Sequence, residues 1–368
     1  MSPLDNRPRR PGDAYADGVD EGRWQADPAQ HAALVALDRI HDELVTAKPA
    51  GLLDRLLGRQ PAAPRGLYLW GSVGRGKTFL VDICYEHLPI RAKRRIHFHR
   101  FMGEVHARLA ELGEISDPLD RVAEEWADDL RLLCLDEFFV TDIGDAMILS
   151  RLLHGLFARG VCLLTTSNIA PDGLYRDGLQ RARFLPAIEL LQQHCEVIHL
   201  DSPTDYRLRT LRQAPVYLYP ADGDAETALR GHYQRLTADY CHEGGESLQI
   251  NGRAIPVRDH DEGVAWFDFA ALCDGPRAVA DYIEIARDFH TVLVSNVPVF
   301  EASDDDRFRR FVHLVDELYD RHVNLIASAT AAPAALYRGT RLQLESERCS
   351  SRLIEMQSRD YLASEHLP

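Results

Sequence analysis

Lys77 and Thr78 are the residues whose types and spacing first suggest chemistry. They end the stretch Gly71-Ser72-Val73-Gly74-Arg75-Gly76-Lys77-Thr78, which fits the pattern G-x-x-x-x-G-K-[ST]. Three glycines let successive backbone N–H groups turn inward to make an anion-binding concavity, and a following helix points its positive end at the phosphates. In such a loop the Lys77 ammonium reaches the β- and γ-phosphates and the Thr78 hydroxyl coordinates Mg2+. The pattern therefore predicts ATP and Mg2+ as ligands, with all eight residues from Gly71 to Thr78 in the binding set.

A second group follows downstream. The apolar run Leu132-Leu133-Cys134-Leu135 ends in Asp136-Glu137. A buried strand that delivers two carboxylates at its C-terminal end supplies what a phosphate loop lacks. Asp136 would hold Mg2+ through its water shell, and Glu137 would orient and deprotonate an attacking water. A further run, Val161-Cys162-Leu163-Leu164-Thr165-Thr166, ends at Ser167-Asn168. Asn168 could then hydrogen-bond the γ-phosphate or the water. Each feature alone could be an ordinary turn or strand end. Their order of loop, Asp-Glu strand and Asn-ended strand gives them a shared meaning.

These residues need elements to position them. Leu67-Tyr68-Leu69-Trp70 reads as the strand before the loop, and Phe79–Tyr85 as the helix after it. Arg95-Ile96-His97-Phe98-His99-Arg100-Phe101 alternates and reads as the next strand of a βαβ unit. His97, His99 and His106 read as packed or hydrogen-bonded histidines more readily than as a metal site, for want of a partner at clear spacing. Helices are expected over 142–158 and 184–194, and a closing strand at Val197-Ile198-His199-Leu200. Upstream, residues 1–20 are rich in Pro, Arg, Asp and Gly and read as disordered. An amphipathic helix is expected over 28–47, with Asp27 as its cap. Gly51, Gly58, Pro61 and Pro64 mark a break before the first strand.

Composition narrows the function classes. The chain has 368 residues, 45% hydrophobic and 27% charged, as in an ordinary globular protein of more than one domain. The apolar runs are too short for a membrane span, and the N-terminal stretch lacks the apolar segment of a secretory signal, so a cytoplasmic location is expected. Seven cysteines without a C-x-x-C pair argue against a disulfide framework or a zinc site; Cys84, Cys134 and Cys162 read as small core residues. A net charge of −15 disfavours nucleic acid as the main partner. The exception is the cluster Arg91, Lys93, Arg94 and Arg95, whose plain reading is a solvated loop.

From Asn168 to Phe184 the sequence resembles the second homology region of AAA+ ATPases: a sensor Asn, then Pro171-Asp172, then Arg181 and Arg183 before a Phe. The resemblance implies that one of these arginines is a finger reaching a neighbouring subunit's γ-phosphate. They stand two apart, where many relatives have three, so which one acts stays open. Gly66–Gly71, His97–Met102, Leu135–Phe138, Gly178–Arg181, Ser295-Asn296-Val297-Pro298 and Ser351–Met356 together are similar to the ZapE-like cell-division ATPases of bacteria and the lactation-elevated mitochondrial ATPase. The resemblance covers about Tyr15 to Tyr361. It implies an α/β P-loop NTPase (AAA+) with a parallel sheet core. It also implies a homo-oligomeric ATPase, with a hexamer as a candidate ring, acting on a protein client. A division-ring component is one candidate client, and membrane association would be peripheral, through the client. In the same family frame Arg352, four residues after Arg348 on an expected helix, is the candidate sensor arginine at the nucleotide.

Beyond the core at 61–205, the pattern changes. Val216–Tyr219, a helix over 224–241, a hairpin turning at Asn251-Gly252 and the strand Gly263–Phe269 read as a β-rich inserted module, 206–288. Residues 289–330 read as strand–helix–strand completing the nucleotide sheet, with Asn296 as a second polar sensor or a turn residue. A C-terminal helical segment, 331–368, ends the chain. Two rival functions remain at this level: a helicase-loader-like ATPase on single-stranded DNA, supported by the basic run alone, and a non-hydrolysing nucleotide switch, which would have no need of Glu137.

Overall fold

The computed structural model describes residues 8–46, 63–72, 74–113, 115–140, 142–202, 211, 215–237, 247–261, 263–364 and 366–367. Val73 of the loop, and Gly51, Gly58 and Pro61 of the expected break, lie outside them. The chain divides into two units, Met1–Thr204 and Asp205–Pro368.

The first unit is built on five parallel strands: β1 (Gly66–Trp70), β2 (Lys93–His97), β3 (Leu132–Asp136), β4 (Cys162–Ser167) and β5 (Cys195–His199), in the spatial order β2-β3-β4-β1-β5. β3 and β4 are buried along their whole length, which is why they read as unbroken apolar runs. Helices α1 (Pro11–Asp20), α2 (His31–Thr46), α3 (Lys77–His87), α4 (Phe98–Leu112), α5 (Pro118–Asp129), α6 (Ile143–Ala158) and α7 (Leu185–His194) surround the sheet. Leu133 and Leu135 of β3 pack in one cluster with Phe101, Met102, Leu149 and Leu191. Burying each such side chain stabilises the fold by about 1.5–3 kcal/mol. This is an α/β P-loop fold of the AAA+ kind, in which β4 separates the loop strand from the carboxylate strand.

Three expectations need correcting here. First, part of the stretch expected to be disordered is helix α1. Its sequence is polar, but Ala14, Tyr15 and Gly18 are buried. The Gly12 amide donates to Asp38 Oδ1 at 2.7 Å, and the Tyr15 ring meets Trp24 and Phe79. Pro11, Ala14, Tyr15 and Gly18, buried together, dock a helix that composition alone hides. Second, the strand expected over 95–101 ends at His97, opposite Asp136. Phe98 opens α4 because Phe98, Phe101, Met102 and Val105 recur at helical spacing and are all buried. Third, the solvated-loop reading of the basic cluster fits Arg91, exposed in a bend, but not the rest. Lys93 to Arg95 form an edge strand and their charges are engaged. The Lys93 ammonium donates to Tyr85 O and, at 2.8 Å, to Leu88 O at the C-terminus of α3. Arg94 pairs with Glu104 at 2.6 Å, and Arg95 pairs with Asp82 and Asp136.

The second unit has its own five-stranded sheet. It comprises β6 (Tyr217–Leu218), β9 (Asp259–Asp261), β10 (Val264–Asp268), β11 (Thr291–Val297) and β12 (Asn324–Ala329), in the order β6-β12-β11-β10-β9. The hairpin β7 (Ser247–Ile250) and β8 (Arg253–Pro256) turns at Asn251-Gly252 with φ of 49° and 73°, the positive values a two-residue turn of this kind demands. Helices α8 (Gly223–Leu236), α9 (Phe269–Cys273), α10 (Val279–Asp288), α11 (Asp305–Asp320), α12 (Gln343–Glu355) and α13 (Arg359–Leu362) complete it. The strand–helix–strand of 289–330 does not complete the nucleotide sheet. β11 pairs with β10 and β12 with β6, so the β-rich segment and the strand–helix–strand share one sheet. Local periodicity reveals strands but not which neighbour each one finds. Among the described residues no helix is long and apolar enough to cross a membrane.

Candidate active site

Because the strands of the first unit are parallel, their C-terminal ends meet at one edge of the sheet, where open α/β sheets bind ligands. The loop leaves β1 there. Gly71 has φ 150°, and a Cβ on it would come within 2.5 Å of the Leu200 carbonyl oxygen. Gly76 has φ 85° and caps α3, a left-handed position that glycine adopts without strain. Lys77 is buried. Its ammonium donates to Gly71 O at 2.7 Å, Ser72 O at 3.0 Å and Asn168 Oδ1 at 3.0 Å. Thr78, half-buried, occupies the first turn of α3. The structure thus brings loop lysine and strand-end asparagine into direct contact, although 91 residues separate them.

Asp136 is 2% exposed at the tip of β3. Its Oδ2 accepts from Arg95 Nε at 2.7 Å and its Oδ1 from Thr166 Oγ1 at 3.1 Å. Glu137 follows with φ 52°, in the left-handed region. A side chain other than glycine at such a φ is uncommon and is held there by its surroundings. The Glu137 amide donates to Thr166 Oγ1 at 3.1 Å, and His97 Nδ1 lies 4.0 Å from Glu137 Oε2. The segment after Asn168 is anchored by Tyr68, whose hydroxyl donates to Ile169 O at 2.8 Å. Burial pushes that phenol's pKa up, which keeps it a donor.

Arg181 and Arg183 share a short turn after β4. Arg181 Nη2 donates to Asp172 O at 2.6 Å, whereas Arg183 is exposed. Arg352 lies in the second unit on α12. Its guanidinium pairs with Asp316 at 2.6 Å and Asp320 at 3.2 Å and stacks over Tyr319. It is not among the side chains that the first unit gathers around the loop. Asn296 also belongs to the second unit, where it donates to Asp268 at 3.0 Å.

Sequence reasoning missed several residues. Thr166 stands in the sequence only as a member of the apolar run that leads to Asn168. Arg95 looked like one of four surface cations. Gln30, buried at 2%, donates from Nε2 toward Arg75 O in the loop at 3.5 Å. A glutamine three residues after a capping Asp, where the helical pattern turns inward, was the available signal.

A model of the AFG1-like ATPase family matches residues 10–365. The chain belongs to the AFG1-like ATPase family. Cell division protein ZapE of Escherichia coli (strain K12) is 44% identical over 369 residues, covering 97% of this chain and 98% of that protein. An uncharacterized protein of Schizosaccharomyces pombe is 34% identical over 96% of this chain and 92% of its own length. Lactation elevated protein 1 homolog B of Danio rerio is 38% identical over 74% of this chain and 57% of its own length. The matched residues fall in both units. Membership in an ATPase family supports a nucleotide as the ligand.

Proposed function

We propose that this chain is a Mg2+-dependent ATPase that works as a homo-oligomer on a protein client. The supporting observation is the Lys77–Asn168 contact at 3.0 Å, made at the same sheet edge as Asp136-Glu137. Lys77 opens α3 after the loop, Asn168 follows β4 and Asp136-Glu137 ends β3, and these stand at the C-terminal edge of one parallel sheet. Lys77 exchanges its carbonyl acceptors for phosphate oxygens, while backbone N–H groups of Gly74 to Thr78 cradle the phosphates. Asn168, already in register with the ammonium, orients the γ-phosphate or the water.

The donor set suits Mg2+: the hydroxyl of Thr78 and the carboxylate of Asp136 are hard oxygens. The ion, when bound, neutralises charge on the phosphate oxygens. Glu137 takes a proton from water, whose oxygen then forms a bond to the γ-phosphorus. The bond from that phosphorus to the bridging oxygen breaks, and ADP leaves with the electron pair. Arg183, exposed on its turn, is the better placed of the two arginines to enter a neighbour's site, since Arg181 is tied to its own backbone.

The name of the Escherichia coli relative, a cell division protein, supports a role in cell division. The DNA-loading alternative loses half of its support, because Lys93 and Arg95 of the four-residue cluster are spent on internal partners. Steady-state ATPase assays test the reading. Lys77→Ala abolishes nucleotide binding, and Glu137→Gln binds but turns over about 10²–10⁴-fold more slowly. Hydrolysis that survives both changes sinks the assignment. Turnover per chain rises with protein concentration and falls in Arg183→Ala; a flat dependence and a normal Arg183→Ala refute the shared site.

A further inference from the structure

The hydroxyl of Thr166 stands between the two carboxylate residues of the site. It donates to Asp136 Oδ1 at 3.1 Å and accepts the Glu137 amide at 3.1 Å. A threonine hydroxyl has one proton to give, so giving it to Asp136 leaves its oxygen lone pairs for Glu137. The backbone of the same residue makes a third contact, because the Phe138 amide donates to Thr166 O at 2.8 Å. The amides on both sides of the Glu137 α-carbon therefore end on one residue. Between them lies the left-handed φ of 52°.

The neighbours show that this is not generic strand chemistry. Thr165 Oγ1 donates to Leu135 O at 2.7 Å, and Ser167 Oγ donates to Phe138 O at 2.8 Å. Both reach main-chain carbonyls. Thr166 alone of the three addresses a carboxylate, and it does so at 2% exposure, where competing water is excluded. Two residues further along the same chain is Asn168, in contact with Lys77.

We propose that Thr166 is a positioning residue for the hydrolytic step. Its hydroxyl fixes the rotation of the Asp136 carboxylate and holds Glu137 in the left-handed turn that aims the water-activating side chain. This rests on the ATPase reading above. An aim lost by a fraction of an ångström is enough to slow an in-line displacement, and a 1 Å misplacement can cost about 10²-fold.

Three variants of the full chain test it. Thr166→Val keeps the shape and removes the hydroxyl; kcat is expected to fall about 10–100-fold with KM for MgATP changed less than about threefold. Thr166→Ser restores the hydroxyl, and kcat returns to within about threefold of the parent. A binding readout stands beside activity: the Mg2+ concentration that half-maximally tightens a ribose-labelled fluorescent ATP rises severalfold in Thr166→Val and not in Thr166→Ser. Should the valine variant fail to fold, Thr166→Ala carries the same comparison. Parental kcat in Thr166→Val, beside a dead Glu137→Gln, overturns the proposal and leaves the site reading intact. So does equal impairment of the Val and Ser variants, which would mean bulk and not the hydroxyl matters. Normal turnover in Glu137→Gln overturns the underlying reading itself.

Discussion

Replacing Arg95 with methionine removes the charge from a bridge between two elements. Its side chain is 7% exposed and pairs with Asp136, itself 3% exposed, and with Asp82 of α3, at 20%. Methionine fills much of the arginine stem's volume, so the change is chiefly the loss of a cation facing two carboxylates. Deleting one partner of a buried ion pair costs about 3–5 kcal/mol, because the remaining charge keeps its desolvation penalty. For a unit of this size that corresponds to a melting point lower by about 6–20 °C. The assay is urea unfolding followed by tryptophan fluorescence. Trp24, Trp70 and Trp126 lie in the first unit and Trp266 in the second, so the signal reports mainly the unit concerned. Arg94→Met is the control. Its pair with Glu104 has side chains 34% and 47% exposed, where about 0–1 kcal/mol is expected. Arg95→Met combined with Asp82→Asn should recover part of the loss. A cost under about 1 kcal/mol for Arg95→Met, matching the control, would refute the claim that this guanidinium is a desolvated bridge.

Three further outcomes are expected. Asn168→Ala should lower kcat about 10²–10³-fold while nucleotide affinity changes only severalfold, read by steady-state turnover against equilibrium binding; an unchanged kcat would remove Asn168 from the site. Gly66→Ala should cost about 3 kcal/mol by the same urea assay, because the new Cβ would sit 1.9 Å from the Leu163 carbonyl oxygen inside the sheet. Burial pushes the thiols of Cys84, Cys195, Cys273 and Cys349 up to about 12, far above an assay at pH 8, and Cys134 and Cys162 are buried too. The thiolate is the reactive form, so a chromogenic thiol reagent should label at most one of the seven cysteines before unfolding and all of them after.

The sequence was most informative where one physical constraint acts alone. Gly76 and Lys77 are legible because only glycine tolerates the turn and only a long cation reaches the phosphates. β3 and β4 are legible because a strand buried on both faces has to be apolar. β2 was misread at both ends for the opposite reason. As an edge strand it carries Lys93, Arg94 and Arg95, whose partners Glu104, Asp82 and Asp136 lie far along the chain. The same holds for Thr166, since β-branching and a hydroxyl look alike in a strand until Asp136 is known to stand opposite. Arg352 illustrates the remaining gap. Its helical spacing from Arg348 is real, but both arginines face Asp316, a partner that spacing could not name.

The two sheets are assembled from the chain in different ways, and this sets an order in time. Every strand of the first sheet lies between Gly66 and His199, so the unit is complete in sequence once the ribosome has passed Thr204. The second sheet closes only when Ala327 of β12 pairs with Tyr217 of β6, near the far end of its own stretch. At about 5–20 residues per second, synthesis from Thr204 to Ala329 takes roughly 6–25 s. During that interval every strand of the first sheet is already made while the second sheet is still unpaired. A nucleotide at a hundredfold excess over its dissociation constant would stabilise a folded first unit by RT ln(1 + [L]/Kd), about 2.7 kcal/mol. On the proposed function, the nucleotide would then act as a folding ligand for the first unit before the second is made.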